Sequence, residues 1–174
     1  MKNRTIIILL VLITSSFTTS NRVETLIVKE IKKSFDIENF TKESIKITNE
    51  LNEVLPLKLS ETNFFKINNE GSIIGYYYLG SAYGKAAYFD YLVIFNKDLI
   101  VSKVKVLTYR EDHGGEIKSK RWLKQFNEKS TDKNLKYQED IVGISGATIS
   151  VKSMTNDVNK LFKTIGILIK NNQL

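Results

Sequence analysis

Apolar residues recur at intervals of three and four through the last part of the chain. Val151, Met154, Val158, Leu161, Phe162, Ile165, Leu168 and Ile169 predict one long amphipathic helix. The same spacing appears near the other end, where Val23, Leu26, Ile27, Ile31 and Phe35 fall on one helical face with Glu30, and Val28 is the one apolar residue off it. A second helical segment is expected from Lys42 to Val54, closed by Pro56. The period then shortens. "FFKI", "SIIGYYYLGSA", "KAAYFDYLVIF" and "LIVSKVKVLTY" are rich in β-branched and aromatic residues, and "NNEG", "AYG" and "FNKD" punctuate them as turns. This pattern predicts an antiparallel meander. In its last strand, Val101, Lys103, Lys105 and Leu107 do not alternate cleanly with Ser102, Val104, Val106 and Thr108, so the pattern does not say which face is buried. "KSKRWLKQF" reads as a short helix, and a polar loop follows from Asn127 to Glu139. Together these elements predict an α+β fold, an antiparallel sheet packed with helices, with no internal repeat.

Composition narrows the class of protein. A chain of 174 residues with 42% hydrophobic and 26% charged residues describes one soluble globular domain. The first twenty residues read as an export signal, in which Lys2 and Arg4 precede the apolar run Ile6 to Ile13 and "TSSFTTS" offers small residues for cleavage. That run is shorter than the roughly 20 residues that span a bilayer. An uncleaved interfacial anchor is the alternative reading. Of the 26 basic residues two lie in this segment, leaving 24 against 19 acidic ones, a mild excess of five. The basic residues are interspersed with acidic ones, so no nucleic-acid partner is expected. There is no cysteine and one histidine, His113, so neither a disulfide nor a metal site is expected. Redox chemistry would have to come from a bound group.

The candidate chemistry lies at the entrance to the last helix. "GISGATIS", residues 143 to 150, supplies three hydroxyls, Ser145, Thr148 and Ser150, where a helix needs one cap. Gly146 permits a close turn, Ala147 keeps bulk away, and Thr148 offers a hydroxyl beside the free amides of the first helical turn. Those amides and the helix dipole suit a phosphate, which the hydroxyl could bond or be esterified by. Simple capping by Ser145 or Thr148 is the competing explanation.

"SGATIS" resembles the flavinylation motif of the FMN-binding domain family, which includes the C and G subunits of sodium-translocating NADH:quinone reductase and of the Rnf complex. The resemblance extends upstream through "YREDHGGEI", "RWLKQF" and the paired strands of "GKAAYFDYLVIFNKDLIVSKVKVL", covering roughly Tyr83 to Ile169. It implies a covalent FMN, held by a phosphoester to Thr148, with the long C-terminal helix following the attachment loop. The usual motif has an aspartate six residues before that threonine, where this chain has Val142, and the nearest acid is Asp140. The organisation expected is a signal peptide over 1–20, an N-terminal helical segment over 21–71 and an FMN-binding domain over 72–174.

The resemblance further implies an exported electron carrier, periplasmic or on the outer face of the cytoplasmic membrane. A flavin transferase using FAD and a divalent metal ion would load it, and membrane or extracytoplasmic redox proteins would be its electron partners. The candidate cofactor-binding residues are Ser145, Gly146, Ala147 and Thr148 with His113, Gly114, Gly115 and Glu116 of "HGGE", whose glycines would let the backbone approach a ring or phosphate. A solvated turn is the alternative for His113, and a favourable helix start for Glu116. Trp122 and Phe126, four apart, are expected in the core. Of Tyr76, Tyr77, Tyr78, Tyr83, Tyr88, Phe89 and Tyr91, no more than two are expected at a flavin. No catalytic constellation is visible. The other functions compatible with the sequence are a non-covalent module for a phosphorylated ligand and a small flavin-dependent reductase, with His113 and Glu116 as proton donors.

Overall fold

The computed structural model describes residues 22–174, and the expected export signal lies outside them. The chain divides into two units after Ile37. In the first, residues 22–35 form helix α1, with Ile27 and Ile31 four apart on its apolar face. Ser34 bonds back to the Glu30 carbonyl at 2.8 Å, and Asp36, left-handed at φ 54°, ends the helix.

The second unit is built on a five-stranded antiparallel sheet in the order β1-β2-β3-β4-β5. Its strands are β1 (Thr41–Ser44), β2 (Phe64–Asn69), β3 (Ser72–Tyr83), β4 (Tyr88–Asn96) and β5 (Val101–Thr108). The predicted meander is therefore present and gains a strand. The helix expected from Lys42 to Val54 is confined to α2 (Asn49–Val54). Its first part is strand instead, with Thr41 opposite Asn68 and Ser44 opposite Phe65. Thr48 fixes the boundary, because its hydroxyl accepts the Leu51 amide and so places the helix start after it. The "NNEG" turn is a two-residue hairpin loop in which Glu70 and Gly71 are both left-handed, at φ 50° and 78°, matching the strand twist.

Two bulges account for the disordered alternation of β5. Phe95 pairs with Val101 and Ile94 with Lys103, leaving Ser102 extra, and Leu107 is extra between the pairs Asp90–Thr108 and Tyr91–Val106. Each extra residue resets the phase, so Val101, Val104 and Val106 all reach the core.

Against one face of this sheet lies α4 (Thr148–Lys170), the expected final helix. Val151, Met154, Val158, Leu161, Phe162, Ile165 and Leu168 are completely buried, and Phe162 meets Phe95 edge-on at 6.4 Å. Ile169, expected on this stripe, is 44% exposed. At about 1.5–3 kcal/mol per buried side chain, the seven contribute on the order of 10–20 kcal/mol. A helix cap is worth about a tenth of that, so packing alone holds α4 in place. Its entrance is thereby free to do something other than stabilise the fold.

Candidate functional site

That entrance begins with a turn. The Ala147 amide bonds the Ile144 carbonyl at 3.1 Å, and Gly146, at the third position of the turn, is left-handed at φ 78°. Ala147 is the N-cap residue and has no side chain able to accept a hydrogen bond there. Thr148 is the first helical residue. The structure thus excludes the capping explanation for the hydroxyls. Ser145 and Thr148 are exposed and their hydroxyls make no hydrogen bond to a described residue, while Ser150 is buried and faces the Tyr109 hydroxyl at 3.2 Å. The amides of Thr148, Ile149 and Ser150 have no acceptor one turn back and no side-chain cap. No acidic residue lies in the first turn to offset them.

The "HGGE" turn packs directly on this loop. A Cβ on Gly114 would stand 2.4 Å from the Ala147 methyl and 3.2 Å from the Gly146 carbonyl, and Gly114 is itself left-handed at φ 75°. Glycine is required there on both counts, and alanine is what its neighbour can be. Gly115 differs, with ordinary backbone and nothing nearer than the Lys118 side chain at 3.8 Å. It opens a short 3-10 helix, Gly115–Lys118, whose Ile117 is completely buried. His113 and Glu116 present exposed side chains on this turn.

A third segment closes the same end of the sheet. Glu111 accepts the amides of Ala86 and Ala87 at 2.8 and 3.3 Å. These bonds, the Ala86 one foremost, hold its carboxyl below the usual carboxylate range. A Cβ on Gly84 would collide with this carboxylate at 2.2 Å and approach the Ser150 hydroxyl at 2.9 Å. Tyr109 donates to the His113 carbonyl at 3.1 Å, and burial is the main cause of its raised pKa. Residues 84–87, 109–116 and 145–150 therefore meet as one cluster. At its rim, Tyr83 and Tyr88 are 47% and 59% exposed with rings 4.8 Å apart, whereas the other expected aromatic candidates, Tyr76 to Tyr78, Phe89 and Tyr91, are buried.

On the other side of Thr148 opens a groove of about 480 Å³ lined by Tyr137, Gln138, Val142, Gly143, Ile144, Ser145 and Thr148. Its volume falls in the range of small-molecule sites. Two residues that sequence reasoning missed or placed only in the core shape it. Trp122, at the start of the W-x-x-Q-F stretch, does pack edge-on against Phe126 at 5.4 Å. Its indole N–H also donates to the Val142 carbonyl at 2.8 Å, and the Val142 amide donates to the Gln125 side-chain oxygen at 2.7 Å. The short helix α3 (Lys120–Leu123) and the turn after it thus grip the backbone of residue 142 from both sides. Its side chain, 63% exposed, is displayed at the groove. Asp140 does not take its place, since its carboxylate accepts the Lys136 amide at 2.9 Å within a local turn. His113, Gly115 and Glu116 do not line the groove. Among the described residues, no group of three His, Asp or Glu is placed to hold a metal ion.

The arrangement can therefore receive an anion at bare amides, beside a free hydroxyl and a partly apolar groove. Residues 84–163 match the family model described as the FMN-binding domain. None of the curated proteins matches the chain. The matched stretch opens at Gly84 and runs through the "HGGE" turn, the W-x-x-Q-F stretch and the attachment loop into α4.

Proposed function

Residues 84–163 belong to the FMN-binding domain family, and from this premise we propose that the chain is an exported electron carrier with FMN attached to Thr148 through a phosphoester. One observation carries the covalent reading. The Thr148 hydroxyl stands exposed and unbonded on the first residue of an uncapped 23-residue helix. The residues fit the group: three free amides face where a phosphate would lie, and the adjoining groove has room and apolar surface for a ring system.

FMN supplies one- and two-electron chemistry when bound, and the protein tunes its potential by hydrogen bonds and charge. Attachment asks one thing of Thr148. The Thr148 hydroxyl would accept the flavin-bearing phosphoryl group of FAD, with AMP as the leaving group and the hydroxyl proton going to a base of the transferase. The free amides of the first turn would stabilise negative charge on the phosphoryl oxygens. Ala147 packs against Gly114 on the other side of the loop. A tether suits an exported protein, whose dissociated cofactor would be lost to the medium. Membrane or extracytoplasmic redox proteins are then its electron partners.

Val142 is the observation that favours the second reading, a domain that holds its ligand without esterification, because the position displayed at the groove lacks the family's acid. Coexpression with a flavin transferase separates the two. The mature chain should gain the mass of one FMN less one water and keep its yellow colour after acid denaturation. Thr148→Val should lose both, Thr148→Ser should retain part, and Val142→Asp should raise the yield. Flavin that washes off the denatured wild type, or that stays attached to Thr148→Val, would overturn the assignment.

A further inference from the structure

The groove beside Thr148 has no charged residue in its lining, but the exposed Lys152 lies over the ring of one residue that lines it, Tyr137. Lys152 lies four residues after Thr148, on the same helical face. Helical side chains lean toward the N-terminus, which directs Lys152 toward the turn that Thr148 begins. Its ammonium sits 4.9 Å from the centroid of the Tyr137 ring, and Tyr137 lines the groove. Tyr137 is itself seated by Gly143, where a Cβ would come within 2.8 Å of the tyrosine hydroxyl. Among the described residues no carboxylate pairs with Lys152. The two nearby acids are engaged elsewhere, Glu139 with the Lys136 ammonium at 2.9 Å and Asp140 with the Lys136 amide. The first acid of α4 is Asp157, which bonds Tyr91. The Lys152 charge thus adds to the positive end of the helix, and among the described residues no acid is placed to balance it.

We propose that Lys152, aimed by the Tyr137 ring, is the counter-charge that positions the FMN phosphate at Thr148. The inference rests on the site assigned above and adds a positioning residue to it. An aromatic face holds an ammonium without neutralising it, so the lysine is kept in place and still has its full charge for an anion. A carboxylate partner would have held it equally well and cancelled that charge.

The test separates phosphate recognition from attachment. Free FMN and riboflavin, which differ only by the phosphate, are titrated onto chain made without transferase. The wild type should prefer FMN, and Lys152→Gln should reduce that preference about two- to fivefold, the range for a partly exposed charge pair. Lys152→Arg and Tyr137→Phe should keep the preference, and Lys152→Glu and Tyr137→Ala should lose it. High salt should weaken the wild-type preference and leave Lys152→Gln unmoved. Thermal midpoints guard against misfolding. In chain loaded by the transferase, the phosphorus resonance should move in Lys152→Gln relative to wild type. An unchanged FMN preference in both Lys152→Gln and Lys152→Glu would overturn the proposal. A wild type that takes no covalent FMN would overturn the attachment to Thr148 and leave the titration as the judge of Lys152.

Discussion

Helices α2 and α3 span six and four residues and begin under a hydroxyl cap, whereas the 23-residue α4 begins under none. Thr48 accepts the Leu51 amide and Ser119 the Trp122 amide, each at 3.3 Å. The entrance to α4 has more hydroxyls than either and uses them for no cap. Its opposite end is closed: Asn171 turns its amide onto the carbonyls of Ile167 and Leu168 and its side chain onto Ile167, and Gln173 reaches Leu168 at 3.0 Å. Helix α2 buries none of its side chains and α3 only two, so each relies on its cap. A helix held by seven buried side chains does not, and the difference shows where the chain can leave polar groups unsatisfied for a ligand.

The largest effect expected from breaking this arrangement is at the contact that shapes the open end. Gly114→Val meets the Ala147 methyl and must also adopt a left-handed φ. Overpacking costs about 1–3 kcal/mol and the left-handed backbone about 1–2, so a loss of roughly 2–5 kcal/mol is expected, with loss of flavin. Gly115→Ala, one residue on, has room and an ordinary backbone, and should stay within about 0.5 kcal/mol of wild type. Urea unfolding of both variants checks the pair. Similar losses would show that the turn acts as a unit and that the Ala147 contact is not what selects glycine.

The same contrast explains what the sequence could and could not reveal. The final helix and the strands from β2 onward were legible because seven fully buried positions repeat at three and four and the strands are dense in aromatic and β-branched residues. β1 was not legible. "TKES" has no apolar residue, and it is a strand only because the edge of β2 offers it partners. In β5 the alternation was masked by the bulges at Ser102 and Leu107, which depend on pairing with β4. At the site, the two glycine turns were legible as turns, and their meeting was implied only by family resemblance. The grip of Trp122 and Gln125 on residue 142 was hidden because it acts on backbone atoms 20 and 17 residues away. The W-x-x-Q spacing was the one signal for it. Lys152 over Tyr137 likewise joins residues that no local pattern links.

A smaller effect sharpens the comparison of helix starts. Thr48→Ala and Ser119→Ala remove caps in use and should each cost about 0.5–2 kcal/mol. Ser145→Ala and Thr148→Val remove hydroxyls that cap nothing, so their unfolding midpoints should match wild type although α4 is far longer. Chain without flavin is the right material, since an attached phosphate would add its own contacts. A loss at Thr148→Val as large as at Thr48→Ala would mean that the hydroxyl does cap α4 in solution.

The smallest effect contrasts the open start of α4 with its closed interior. About two and a half turns beyond Thr148, Asp157 accepts a hydrogen bond from the completely buried Tyr91 hydroxyl. Burial raises the Asp157 pKa above its ordinary value, outweighing the opposing effects of that bond and of the Lys160 charge. The Tyr91 hydroxyl is pushed up as well, by burial first and by the Asp157 charge second. Since the folded chain holds the Asp157 proton more tightly than the unfolded chain, protonation contributes stability that is complete below the ordinary aspartate range. That contribution is lost as pH rises through the elevated folded value. At neutral pH the folded protein therefore carries a partly buried carboxylate at a cost. Asp157→Asn keeps an acceptor oxygen for Tyr91 and removes the charge. It should be slightly more stable than wild type at neutral pH, and the difference should shrink as the pH falls toward that range. Urea midpoints of both proteins across this interval measure it, and a constant difference would show that Asp157 is not the titrating group. Flavin content should be the same in both, because Asp157 spends its bond inside the core while Thr148 keeps its own for the ligand.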